Sequence, residues 1–433
     1  MHYIFSLLTF SYNKMLHTAA TFFLFAVVFS SCIKDHCLET REYKYYKPVY
    51  MTYEQLRSSV ASLPAKGIKD AGKIYYKDHF IFLNEINKGI HVIDNSNPSS
   101  PQNIAFINIP GNVDIAVKDN ILYADSYCDL VAINISDPAH CTEVNRIQDV
   151  FPDRTYNYGY VYDPHKGVVI DWQERDTIIE SDCSYSGPLY LMEGDMTFTA
   201  MSSSSTSSSV ATSPGTGLGG SLSRFTICNN YLYTIDNWNL HLFNIAVSAN
   251  PIEGNTINVT WNIETIYAYQ NNLFIGSSSG VYIYDASNPS SPVQKSIFVH
   301  VTSCDPVCVD GNFAYSTLRG GTPCNGFTNQ MDVIDVSDLN NPVLKTSYSL
   351  TGPYGLSKDG NQLFICDGSA GLKVFDATDP LQMTMKQNIT NIFPLDVIAV
   401  NHNLIVVASN GLYQYDYSNP FNLSEISKLD FTE

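Results

Sequence analysis

The sequence predicts an all-β fold, a seven-bladed β-propeller of four-stranded antiparallel blades, from three observations. A strand–turn segment recurs seven times, its copies lie about forty residues apart, and each sits among further short alternating strands. The copies read GIHVIDNSNPSSP from Gly89, DLVAINISDPAH from Asp129, NLHLFNIAVSANP from Asn239 and GVYIYDASNPSSP from Gly280. The others are QMDVIDVSDLNNP from Gln330, GLKVFDATDPLQM from Gly371 and GLYQYDYSNPFNL from Gly411. Their strands end at Asp94, Asn134, Asn244, Asp285, Asp335, Asp376 and Asp416, spaced by 40, 110, 41, 50, 41 and 40 residues. The two long spacings are one period plus about 70 inserted residues and one period plus nine.

Each blade is legible strand by strand. A strand upstream of the repeat is seen in ILYADS at 121–126, YLYTID at 231–236 and LFICDG at 363–368; an earlier one is VDIAVKDN at 113–120. A fourth follows the turn, as in NIAFINI at 103–109 and EISKLDF at 425–431. Four short strands every forty residues is the pattern of a propeller blade, and a blade that cannot cover its own faces must stack around an axis. Alternating Val, Ile, Tyr and Phe supply the packing surface. The Asp/Asn and Ser of each turn are expected to satisfy backbone N–H groups.

The N-terminus reads as an export signal. Residues 18–31, TAATFFLFAVVFSS, carry no charge but are too few to cross a bilayer, which takes about 20 residues as a helix. Ser30 and Ser31 before Cys32 resemble a bacterial lipobox, with Phe29 where Leu is usual. Lipidation of Cys32 would hold the chain at a membrane, the outer membrane of a cell envelope being expected. The organisation is then 1–31 signal peptide, 32–70 tether and short helix, and 71–431 propeller with an insertion at about 152–221. The helix is expected over 51–64, with Thr52 and Gln55 as a capping box and Pro64 as its stop.

The strings IHVIDNSNPSSP and MDVIDVSDLNNP resemble the LVIVD-repeat family, over roughly residues 70–430. That resemblance implies a propeller in an exported or surface protein, and with the lipobox it is similar to Bacteroidota lipoproteins. It implies no catalytic residues.

The insertion begins with a hairpin pattern at 158–172 and passes an acidic run, Asp171, Glu174, Asp176 and Glu180, read as a solvated loop. It ends in a Ser/Gly-rich stretch at 201–223, expected to be a flexible loop. A second insertion, 320–330, falls between the second and third strands of blade five. Cys304, at the start of that blade's first strand, and Cys324, in the insertion, are expected on one face, where an exported protein permits a disulfide. Cys228, Cys308 and Cys366 sit among alternating apolar residues and read as buried thiols.

The chain holds 42 Asp+Glu against 24 Lys+Arg, a formal charge of −18, which argues against a nucleic-acid partner. Acids gather at one face: Asp114, Glu264, Asp305 and Asp396 at first-strand starts, and Glu85, Asp125, Asp236 and Asp367 at second-strand ends. Two readings stand: a ligand face around the channel mouth, for a cation such as calcium or a polyol, or acids that cap turns. Trp238 and Tyr127 beside them have the chemistry to stack on a sugar. The ten His form no His-x-x-x-His pair, and Cys-x-x-Cys and nucleophile-elbow patterns are missing. The sequence therefore points to a non-enzymatic, monomeric, membrane-anchored binding or scaffold propeller with a protein or glycan partner. The rivals are a cation-dependent propeller enzyme, lactonase-like or glycan-processing, and a structural surface-layer component.

Overall fold

A computed structural model describes residues 38–151, 165–182, 216–220, 222–300, 306–321 and 328–432. Each of the seven repeats builds one sheet from four consecutive antiparallel strands. The first strands are Ala71–Lys77, Ile115–Lys118, Phe225–Cys228, Ile263–Tyr269, Val307–Asp310, Leu356–Asp359 and Pro394–Val400. They neighbour one another in chain order, and the last returns against the first, so the ring is closed with these strands innermost. The propeller expected from the sequence is the fold observed.

The repeat motif has one physical cause. In all seven blades the Asp or Asn ending the third strand accepts, through Oδ1, the backbone N–H two residues on, at 2.7–3.1 Å. That bond closes the turn toward the outer strand. In three blades the other oxygen also takes an outer-strand lysine: Asp285–Lys295 at 3.1 Å, Asp335–Lys345 at 3.0 Å and Asp376–Lys386 at 3.3 Å. Hydrogen bonds from Ser287 and Ser337, then the lysines, hold Asp285 and Asp335 down at about 2. Cys228, Cys308 and Cys366 are buried free thiols, as expected.

Among the described residues no strand is exchanged between the first and last blades, and side chains with one backbone hydrogen bond close the ring. Ile74, Ile81, Leu83 and Ile93 of blade 1 share one apolar cluster with Ile398, Ile405, Val407 and Leu412 of blade 7. Above it, buried Asn95 and Gln414 exchange amide hydrogen bonds of 2.9 and 2.8 Å. Near the C-terminus, Thr432 N–H donates to Ile68 O at 2.9 Å.

Three expectations around blade 1 are corrected. The helix is one short turn, Tyr53–Arg57, with the Thr52–Gln55 capping box intact. At its end the Ser58 and Ser59 hydroxyls donate to the carbonyls of Glu54 and Gln55. Residues Ala61–Pro64 are instead a strand on the outer edge of blade 1, pairing with Gln102–Asn108, and proline is tolerated at such an edge. Residues Leu38–Met51, expected as a tether, pair as a strand with Val168–Asp182, which contains the acidic run expected as a loop. Both segments are rich in aromatic and β-branched residues, in YKYYKPVY and VVIDWQER, which favours strand over coil. The chain divides into two compact units: 49–171 with 197–433, which holds the propeller, and 1–48 with 172–196, described here only by that two-stranded pairing. Cys32, Cys304, Asp305, Cys324 and residues 158–164 lie outside the described residues.

Candidate functional site

The acids gathered by the sequence fall into two sets, because strand register separates them. Lys73, Asp114, Arg224 and Asp396 occupy one position, the residue before Ile74, Ile115, Phe225 and Val397, whose partners on the second strands are equivalent. Glu264 joins them on a bulge between Ile263 and Thr265. This is the channel mouth, and it is buried: Lys73 is 3% exposed, Asp114 1%, Glu264 6% and Asp396 0%. Asp114 accepts from Ile115 N–H at 2.7 Å and from Arg224 N–H, and Asp396 accepts from Val397 N–H at 2.9 Å. Glu264 accepts from Asn262 at 3.2 Å. Burial pushes the Asp114 carboxyl up and pulls the Lys73 ammonium down, and each charge opposes the other's shift.

The remaining acids are latches within blades. Glu85 and Asp236 share a register, and each meets a histidine of the third strand: His91 at 2.8 Å and His241 at 2.8 Å. Asp367, at the equivalent place in blade 6, receives Lys373, and it also accepts Thr351 N–H at 3.0 Å and Gly352 N–H at 2.8 Å. His91, His241 and Lys373 themselves sit at one equivalent position of the third strand. Asp125 stands one residue earlier on its strand and accepts the N–H groups of Val113 and Asp114 at 2.8 and 2.9 Å. Tyr127 is 5% exposed and cannot stack on a ligand, whereas Trp238 is 47% exposed.

The channel holds part of the chain itself. Leu218 and Gly219 pair with Tyr76 and Tyr75 on the inner edge of blade 1, and Thr216 bridges Lys118 of blade 2. Gly220 N–H donates to Ile74 O at 2.8 Å, and Ser223 O accepts Ile266 N–H of blade 4 at 2.9 Å. The Tyr75 hydroxyl lies 3.1 Å from Gly217 O and 3.3 Å from Val117 O. The glycines are required by proximity. A Cβ on Gly217 would stand 2.4 Å from the Tyr75 ring, and one on Gly220 would stand 2.1 Å from Asp396 Oδ2. The end of the insertion, expected as part of a flexible loop, thus forms a short inner strand at Leu218–Gly219.

A hard cation needs several carboxylate or carbonyl oxygens turned toward one point. At the mouth Asp114 and one oxygen of Asp396 already accept backbone N–H groups, Glu264 accepts from the Asn262 side chain, and a lysine ammonium stands among them. The donor set Cys128, Asp129 and Asp149 is closer together, all ligand atoms within 4.8 Å. Yet Arg57 and Arg146 each lie 3.0 Å from Asp129, Arg57 also reaches Asp149, and burial pushes the Cys128 thiol up to about 12. That cluster neutralises itself with arginines and ties the helix to blade 2. Lys73, Arg224 and the basic latch partners were not anticipated. The latch partners follow their acids by five or six residues, a spacing visible in the sequence.

The fold is a seven-bladed β-propeller of repeat type. Within it, the LVIVD repeat model matches residues 69–106, 111–149, 263–299 and 303–350, so the chain carries LVIVD repeats. No curated protein matches the sequence. A crystal structure of a protein from Lactobacillus plantarum is similar over 85% of this chain and 96% of that one, with TM-score 0.51 and 12% identity. The computationally designed Ika8 protein aligns over 86% of this chain and 91% of its own, with TM-score 0.49 and 9% identity. BamB from Moraxella catarrhalis aligns over 82% and 96%, with TM-score 0.45 and 6% identity.

Proposed function

We propose that this protein is a non-enzymatic binding or scaffold propeller, exported and anchored to a bacterial envelope through lipidated Cys32, of the Bacteroidota lipoprotein type. The observation that carries the binding reading is the segment of the chain's own backbone inside the ring of first strands. The chain's own 216–220 segment lies along the inner edge, and the mouth acids Asp114 and Asp396 accept backbone N–H groups. Contact is therefore made by the outer faces, where the loops between strands are displayed on rigid blades. A cation-dependent enzyme would need those mouth acids for metal.

Crosslinking in the native bacterium, followed by identification of what is captured, tests the binding role: a specific partner supports it. Stoichiometric calcium lost in the Asp114→Asn variant would overturn it in favour of the enzyme. Palmitate labelling tests the anchor, with loss of label in Cys32→Ala expected; label surviving that change refutes lipidation at Cys32.

A further inference from the structure

Two tryptophans stand half-exposed on one stitched pair of loops. Trp238, 47% exposed, lies between Tyr231–Ile235 and Asn239–Asn244 of blade 3, and Trp261, 49% exposed, lies on the connection into blade 4. The loops are bonded to each other: Val259 N–H donates to Trp238 O at 3.0 Å and Ile263 N–H to Asn237 O at 3.2 Å. Trp238 is flanked by two amides, in Asn237-Trp238-Asn239, and Trp261 by a hydroxyl and an amide, in Thr260-Trp261-Asn262. The amides are oriented from within: Asn258 donates to Asn239 Oδ1 at 3.2 Å, Asn239 to Asp236 Oδ2 at 3.2 Å, and Arg224 to Asn237 Oδ1 at 3.3 Å. Asn258 is exposed, and among the described residues its own amide oxygen accepts no hydrogen bond.

In a chain of net charge −18, residues 254–263 carry no charge, nor do 237–240. The one acid at the first loop, Asp236, is taken up by His241 and by the N–H groups of Trp238 and Asn239. Exposed indoles offer flat apolar faces, while amides offer a donor and an acceptor together. A pyranose ring has the matching chemistry, an apolar C–H face edged by hydroxyls that donate and accept. The nearby charges, Arg224, Asp236 and Glu264, are engaged by the loops' own amides and N–H groups, which leaves the indoles and amides as the recognition chemistry. The acidity elsewhere disfavours an anionic glycan.

From this geometry we infer that the loops bearing Trp238 and Trp261 bind a neutral oligosaccharide. The inference rests on the binding-module reading and gives it a ligand class. Stacking and hydrogen bonding would act together: the indoles hold sugar rings, and the fixed amides read hydroxyl positions.

The test titrates the purified full-length protein with maltohexaose, cellohexaose, mannohexaose and chitohexaose, following tryptophan fluorescence and heat. At least one is expected to bind, with little dependence on salt because the ligand is uncharged. Trp238→Ala and Trp261→Ala should each weaken it about tenfold, the worth of one stacked ring. Both residues are half-exposed, so their variants should keep the melting temperature of the parent. No binding of any of the four up to about 10 mM overturns the proposal, as does binding unchanged in the double variant. A protein captured by a photocrosslinker at Trp238, with no sugar bound, would also overturn it while leaving the binding-module reading standing.

Discussion

With no exchanged strand among the described residues, a buried amide pair helps to close the ring, which makes Gln414→Ala informative. Gln414 is 0% exposed and Asn95 4%. Gln414 Nε2 donates to Asn95 Oδ1 at 2.8 Å and also lies 3.2 Å from Pro98 O. Its Oε1 accepts from Asn95 at 2.9 Å and from Asn403 at 2.6 Å. Truncation leaves both polar ends of the Asn95 amide buried without their partner. Each stranded buried group costs about 1–3 kcal/mol, less whatever a water entering the gap restores, so about 2–4 kcal/mol is expected. That is a large share of the roughly 5–15 kcal/mol that holds a domain folded.

Urea denaturation of the parent, Gln414→Ala, Asn95→Ala and the double variant closes the cycle. Once one amide is gone, removing the other costs little, so the two losses should be strongly non-additive, with a coupling of about 1–3 kcal/mol. Gln387, which bonds Leu423 N–H and O between blades 6 and 7, provides a comparison away from the closure. Additivity within about 0.5 kcal/mol would refute the clasp. So would a Gln414→Ala variant as stable as the parent.

Gly220→Ala forces a methyl to 2.1 Å from Asp396 Oδ2 and 2.8 Å from Ile74. It should cost about 1–3 kcal/mol by overpacking, whereas Gly352→Ala, with nothing within 4 Å, should leave the melting temperature unchanged; equal effects would argue against an inner strand. Burial, only partly offset by the Glu85 and Asn103 hydrogen bonds, holds buried His91 below its ordinary 6.5. The unfolded chain therefore protonates first on acidification, stability falls as the pH drops below about 6.5, and His91→Gln should flatten that slope between about pH 7 and pH 5. An unchanged slope in thermal denaturation would place the proton uptake elsewhere.

Blade number and turn chemistry were legible because both are local and repeated: Asp94 and its six counterparts bind a backbone N–H only two residues away. The channel segment was not legible. Gly217, Gly219 and Gly220 have the composition of a linker, and only the ring of Tyr75, 142 residues earlier than Gly217, shows why side chains are excluded. The helix was overextended for a similar reason. Ala61–Pro64 gains its partner from Gln102–Asn108, and the tertiary pairing overrides the local pattern.

The acidic face shows how position, more than residue type, assigns a role. Glu85, Asp236 and Asp367 lie two residues beyond the second-strand positions paired with His91, His241 and Lys373, so each points to the side where a base of the next strand waits. Asp125 is one residue out of that register, and alternation turns it to the opposite side, onto the N–H groups of Val113 and Asp114. Asp114 and Asp396 stand at the starts of first strands, and there they meet a third kind of partner, the backbone N–H of the next residue and, for Asp114, also that of Arg224. Acids counted by face are thus consumed by partners set strand by strand. The proposed sugar site falls instead on the uncharged loop segments where Trp238 and Trp261 are exposed.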